Sequence, residues 1–400
     1  YERTQRPLEA AAARSRAEAT LRLAEPPAEP PAEIRRVDLW DSAVDAHRAV
    51  SPPLGKTPDV TVTIRPIGTD GTIEWTFSTP HLDVATLSDI RVQRSIGAAP
   101  HAMNDAIVSM LRTEGREGAL EFLIGQGKQI SKSVPPFFWG LLNLVVDSWH
   151  VEEPSVLLIS GESTVPWELA VMPKPRDATK LPFLGAQFDV GRWLADPDVA
   201  KEPPEESWFS SFAAVLADYV RAPLVHAIAE VDDLVQRYQA EKLIVDGYAA
   251  AQRALCGDHG ILHFALHGRY DLASKAGALF LPDGKWIRDG HVRGMEIQPN
   301  KFIFLNACET GQDHADLGSY AGMGPAFLSH KASAVVAPLW AVPDAHARYV
   351  AQRFYARVLG GASPARALRE ERAQAAGSAL AFDSLSYVYF GHPRLTLSAT

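Results

Sequence analysis

Ile261-Leu-His-Phe-Ala-Leu-His267-Gly268-Arg-Tyr-Asp271 and its echo, Phe302-Ile-Phe-Leu-Asn306-Ala-Cys308-Glu-Thr-Gly311, are two short apolar runs. Each stops at one reactive side chain with glycine close behind. Such a run, bounded by turn signals, reads as a strand buried on both faces. Strands of this kind build parallel sheets, and groups at their carboxyl ends meet in the crevice above the sheet. The pattern therefore predicts a histidine and a cysteine at the ends of neighbouring strands.

The same rhythm continues outward from the two runs. Residues 211–217 read as a strand, and 223–240 as a helix with apolar Leu224, Ile228, Val231 and Leu234. A short strand at 243–245 and a helix at 247–256 precede the histidine strand, 261–266. A hairpin-like insertion at 272–288 separates it from the cysteine strand, 302–307. A helix over 318–331, a buried strand at 333–339 and helices over 344–360 and 363–376 follow. Strand–helix alternation at this spacing predicts an α/β fold, a mostly parallel sheet with helices on both faces. No repeat of solenoid length interrupts it.

Toward the amino terminus the pattern changes. Residues 1–55, with Glu25-Pro-Pro-Ala-Glu-Pro-Pro, read as an arm or linker. Residues 56–150 read as a β-hairpin and helical region. Two alternating runs, 60–66 and 72–77, flank the turn signal Asp70-Gly71, and a helical pattern covers 101–130. Residues 151–400 form the third section, with a buried strand at 155–160 and another at 187–194. The acidic, proline-rich stretch 195–208 reads as a flexible loop or boundary, and as a place where cutting or movement could activate the protein. Tyr1 in place of Met reads as the start of a trimmed form or of a piece of a longer chain.

Composition narrows the function. At 46% hydrophobic the 400 residues can bury a large core. A net charge of -9 argues against binding nucleic acid or an anionic membrane. No window approaches the roughly 18 apolar residues of a membrane span; 137–146 reads as a core helix. No signal-peptide pattern opens the chain. Two cysteines, Cys256 and Cys308, cannot make a disulfide framework, which predicts a reducing, cytoplasmic setting.

Cysteine is a nucleophile only as thiolate, so a catalytic cysteine needs a base nearby. His267 is that candidate for Cys308, and the backbone N–H groups of Gly268 and Cys308 could cradle an oxyanion. Taken singly, each residue has a plain alternative: Cys308 a buried structural thiol, His267 a satisfied histidine at a strand end. Cys256 has no comparable partner and reads as structural. His263 shares a face with His267 and could bind a metal with Asp271 or His314, but a supporting core role suits it better. Ser163 does not complete a nucleophile elbow. Neither a Walker nor a dinucleotide glycine loop is present, so no cofactor is expected.

Taken together, His267-Gly268, the 306–311 run, Val335-Val-Ala-Pro-Leu-Trp340-Ala-Val-Pro-Asp344, the tail 353–368 and Val165-Pro-Trp167-Glu-Leu169 resemble the CHAT domain, a caspase-like peptidase family related to separase, caspases and gingipains. The resemblance covers roughly residues 150–400. It implies a caspase-haemoglobinase-like sandwich, a His267–Cys308 dyad and an oxyanion hole at Gly268. Asp344 matches an acidic residue that shapes the S1 pocket for Arg or Lys, although a helix N-cap role suits its position equally. Pro343 stands where the family often carries an acidic or polar residue. The resemblance further implies a protein substrate, a sensor or activator partner and a role in defence or regulated cell death. A catalytically vestigial scaffold or partner-binding module is the alternative.

Overall fold

The computed structural model describes residues 56–400 except 83–86, 88–89, 150, 152–153, 163, 220–223, 272–275 and 310–322, and only the backbone of 99, 148–149, 269–271, 276–277 and 307–309. The arm expected at 1–55 lies outside the described residues. The first strands are β1 (Val60–Ile67) and β2 (Thr72–Ser78). They pair antiparallel as the alternation requires, burying Val60, Val62 and Ile64 on one strand and Ile73, Trp75 and Phe77 on the other. Asp70 closes the turn by accepting the Thr72 N–H at 3.1 Å. β3 (Arg91–Ser95), absent from the sequence reading, adds to β2.

The single helical pattern expected over 101–130 is broken into α1 (Met103–Thr113) and α2 (Ala119–Ser133). The break is Gly115 and Gly118, both at positive φ, where glycine is at home. α3 (Pro136–Trp149) is the expected core helix. β4 (Ser155–Ser160) and β5 (Asp189–Leu194) are parallel neighbours, and β1 lies parallel to β4. The 195–208 stretch is turn and coil up to Glu205, mostly exposed, with local anchors. The Trp193 indole donates to the Ala200 carbonyl at 2.6 Å, Val199 is buried, and the stretch ends in β6 (Glu206–Phe209).

Then come β7 (Phe212–Ala217), α4 (Val225–Tyr238), β8 (Glu241–Val245), α5 (Tyr248–Cys256) and β9 (Ile261–Asp271). β10 (Ala276–Phe280) and β11 (Trp286–Arg288) form the expected hairpin insertion. β12 (Phe302–Glu309), α6 (Gly324–Ser329), β13 (Ala334–Pro338) and β14 (Val342–Pro343) follow, then α7 (Asp344–Val358) and α8 (Pro364–Ala375). Of the helix expected over 318–331, the part before 323 lies outside the described residues. Two strands not foreseen close the chain: β15 (Tyr387–Phe390), and β16 (Thr396–Ala399), which pairs with β6.

The result is one mixed sheet flanked by helices. Its order is β8-β7-β9-β12-β13-β15-β5-β4-β1-β2-β3, with β10 and β11 joining β9 and β14 joining β12. β8, β7, β9, β12 and β13 are mutually parallel. β15 lies antiparallel to β13 but parallel to β5, so the sheet's two halves run in opposite directions and meet at β15. Strands there are buried along their whole length, as interior strands should be. The junction is close. A Cβ on Gly191 would lie 2.3 Å from the Gly391 carbonyl oxygen, so only glycine fits.

Buried charge ties α8 to this junction. Arg369 meets Asp189 at 2.6 Å, and Arg372 donates to the carbonyls of Gly185 (2.5 Å) and Tyr387 (2.6 Å). Glu168, from the Trp167-Glu-Leu motif, lies 3.5 Å from Arg192. Burial pushes the Arg372 guanidinium down to about 10, opposed by Glu168, which leaves it charged at neutral pH. Among the described residues, no helix is long and apolar enough to cross a membrane.

Behind the junction, His392 accepts the Arg394 N–H at Nδ1 (3.2 Å), and burial, with Arg394 and Lys56 nearby, lowers its pKa from 6.5 to about 4. The neutral imidazole is what folding favours. The associated stability is therefore present above about pH 6.5 and lost as pH falls toward 4, amounting to about 3 kcal/mol. Urea melts across this range should show wild type losing that much more stability than His392→Asn. Parallel pH profiles for the two proteins would contradict the assignment.

Candidate active site

β9 and β12 lie side by side and in parallel, with Phe302 opposite Ile261 and each later residue in step up to Cys308 opposite His267. Adjacent strands are about 4.8 Å apart, so the two backbones stand one rung from each other at the sheet's carboxyl rim. β9 runs on to Asp271, farther than its apolar pattern predicts, because β10 supplies a second partner.

Both strands change their outer neighbour at this rim. β9 pairs with β7 through Ala265 and with β10 from Gly268 onward. β12 pairs with β13 through Phe304 and with β14 at Cys308 and Glu309. Such a fork opens the sheet where its chain ends diverge, which is where α/β folds keep their clefts. His267 and Gly268 occupy one fork and Cys308 the other.

At the first fork a tyrosine fills the gap. The Tyr219 hydroxyl accepts the His267 backbone N–H at 3.0 Å and donates to the Phe280 carbonyl at 2.5 Å. It thus bridges β9 to β10 beyond the end of β7. The Tyr219 ring packs against the His267 imidazole, centroids 4.1 Å apart, and stacks on Phe280. The imidazole is buried to 7% exposure. Sequence reading missed Tyr219; the signal was an aromatic hydroxyl two residues past a fully apolar strand.

Asp344 arrives by the second fork, directly after Pro343, whose backbone pairs opposite Glu309. It does not cap its own helix: Pro343 is the N-cap of α7, and no side chain caps it. Asp344 Oδ2 instead accepts the His226 N–H at 2.8 Å, one of the open donors in the first turn of α4. Oδ1 is buried and has no hydrogen-bond partner among the described residues. The carboxylate therefore sits at the amino-terminal ends of two helices, where negative charge is favoured. Arg116, in the turn between α1 and α2, steadies this segment by donating to the Ala341 carbonyl (3.0 Å) and pairing with Asp383.

Beneath the rim lies a wholly buried polar group. His263 donates from Nε2 to Glu230 Oε1 at 2.5 Å, and the Tyr355 hydroxyl lies 3.3 Å from Nδ1. His263 is the supporting histidine expected, already engaged and not free for a metal. Glu230 corrects the helix pattern. It occupies the buried stripe of α4 with Ala227, Val231 and Leu234, while Ile228 is turned out to 43% exposure. A carboxylate takes the inner position because two donors wait there, from His263 and from Asn306 Nδ2 at 2.7 Å.

Of the remaining candidates, Cys256 ends α5, which packs by the edge strand β8, and is partly exposed. Ser163 and His314 lie outside the described residues, as does the Asp271 side chain. Among the described residues, no three His, Cys, Asp or Glu side chains are grouped to hold a metal ion.

The sequence matches the CHAT domain over residues 161–385, more than half of the chain. No curated protein sequence matches it. Among solved structures it is similar to Saccharomyces cerevisiae separase in complex with securin, at 10% identity and TM-score 0.48. That likeness covers 91% of this chain and 31% of the other, so the chain spans about a third of separase's length. It is also similar to the pro- and mature domains of Porphyromonas gingivalis RgpB, at 11% identity and TM-score 0.42, over 70% of this chain and 77% of that one. The Arg-specific cysteine proteinase gingipain R is similar at 11% identity and TM-score 0.40, over 74% of each chain.

The Tyr219 bridge is testable without any substrate. Tyr219→Phe keeps the ring but removes the hydroxyl, leaving the His267 N–H and Phe280 carbonyl without it. The variant should lose about 1–3 kcal/mol in urea unfolding, and the His267 amide should exchange with deuterium faster. Unchanged exchange at that amide would show that the hydroxyl does not hold it.

Proposed function

The chain belongs to the CHAT domain family, and from that premise we propose that it is a cysteine endopeptidase whose dyad is His267 and Cys308. The observation that carries this reading is the strand register, which sets His267 opposite Cys308 at the fork of the sheet.

The chemistry follows from the residue types. The His267 imidazole takes the Cys308 thiol proton, and the thiolate adds to the scissile carbonyl carbon. Negative charge moving onto the carbonyl oxygen is met by the backbone N–H groups of Gly268 and Cys308. The imidazolium gives its proton to the leaving amine as the C–N bond breaks, and a thioester remains. Water, deprotonated by the same imidazole, then releases the acid and restores the thiol.

For specificity, the acidic group is Asp344. A buried carboxylate oxygen with no donor among the described residues is suited to a guanidinium or ammonium, so the substrate carries Arg or Lys before the cut bond. The substrate is a protein, and a sensor or activator protein governs the enzyme, acting in defence or regulated cell death.

Two substitutions test the reading. Cys308→Ala should abolish cleavage of an Arg-containing peptide; persisting cleavage would end the proposal. Asp344→Asn should cut kcat/KM for a P1 Arg substrate at least about 10-fold, with a smaller effect on an uncharged P1 residue. Equal losses for both substrates would remove Asp344 from the pocket while leaving the dyad standing.

A further inference from the structure

Among the described carboxylates, Glu230 alone shows no solvent exposure at all. Burying such a group is costly unless it is matched by donors. Its matches come from the two strands of the proposed dyad, and both go to one oxygen. His263 Nε2 reaches Oε1 at 2.5 Å from β9, and Asn306 Nδ2 reaches the same atom at 2.7 Å from β12. His263 precedes His267 by four residues and Asn306 precedes Cys308 by two, even spacings that keep each pair on one strand face.

The depth of this clamp matters. Here both strands lose their outer partners: β9 just above His263, between Ala265 and Gly268, and β12 around Asn306 itself, between Phe304 and Cys308. In that interval the strands hold chiefly to each other. A shared acceptor that holds β9 below its gap and β12 within it limits both their spacing and their slip, since two short hydrogen bonds to one atom leave little freedom.

Asn306 carries the constraint onward. Its second N–H donates to the Ala347 carbonyl of α7 at 3.0 Å, and Oδ1 accepts the Tyr387 hydroxyl of β15 at 2.6 Å. Burial, with Glu230 nearby, pushes the Tyr355 hydroxyl well above its usual pKa, keeping it protonated beside His263. Through Glu230, therefore, α4 is joined to both strands and to the helix that begins at Asp344.

We infer that Glu230 is a positioning residue, whose single shared oxygen sets the spacing of the strands that bear His267 and Cys308. The inference rests on the peptidase reading above. Glu230 touches no substrate; it acts through His263 and Asn306.

The test compares wild type, Glu230→Gln and Glu230→Leu by the rate at which iodoacetamide alkylates Cys308 at neutral pH, read by peptide mass spectrometry. Cys256, partly exposed at the end of α5, is the reference in each molecule. In wild type Cys308 should react faster than Cys256. Glu230→Gln keeps the accepting oxygen and should stay close to wild type. Glu230→Leu removes it, and Cys308 should slow about ten-fold while Cys256 does not change. Should Glu230→Leu fail to fold, seen as a rise in Cys256 reactivity, Glu230→Asp is one methylene too short to reach both donors and should show the same loss. Wild-type reactivity in the Leu or Asp variant, or equal losses for Gln and Leu, would overturn the inference alone. No excess reactivity at Cys308 in wild type would overturn the peptidase reading, and this inference with it.

Discussion

The parallel register of β9 against β12 is the constraint on which the remaining structure turns. Side chains on a strand alternate, so slipping the pair by one residue would turn every side chain of one strand to the other face. The buried runs on both strands forbid that slip, because Phe264, Phe302 and Phe304 would have to leave their packed positions. Hydrophobic packing thus fixes a polar relationship, the placing of His267 opposite Cys308. The division of labour is physical: apolar side chains choose the register, and the polar group at Glu230, His263 and Asn306 refines the spacing.

The fold spends buried charge where it needs definition. Around β15, the Arg369–Asp189 pair and Arg372 join α8 to the meeting of two oppositely directed half-sheets. Replacing buried pairs by apolar groups is often neutral or favourable for stability, so their presence at this junction is better understood as specifying one arrangement of strands. Asp344 serves a related purpose at the second fork. By capping α4 rather than its own helix, it ties the amino-terminal ends of two helices that also meet at Glu230 and Asn306.

Much of this was legible in the sequence, for identifiable reasons. Fully buried strands such as β7, β9, β12 and β13 advertise themselves as unbroken apolar runs, and the Asp70-Gly71 turn does the same for the hairpin. β15, Tyr-Val-Tyr-Phe, was missed because four residues after a helix carry no periodicity to read. The helix expected over 101–130 failed at two glycines whose positive φ is a tertiary outcome. At the proposed site, His267, Gly268, Cys308 and Asp344 stand out by residue type and motif. Tyr219 and Glu230 did not, because their roles depend on partners far along the chain. Glu230 was the more deceptive, since amphipathic reasoning puts Ile228 inside and a glutamate outside, and only donors on two distant strands reverse that preference.

The proposed chemistry requires an imidazole at 267 and a thiol at 308 to form one reacting unit beside an acidic pocket. A crystal structure of the protein reacted with an arginyl acyloxymethylketone tests it most directly. The adduct should be a thioether on Cys308 Sγ, with the His267 imidazole within hydrogen-bond reach of the bound group and the guanidinium against Asp344. A covalent adduct at Cys256, or one at Cys308 with the imidazole turned away and the arginine side chain elsewhere, would contradict it.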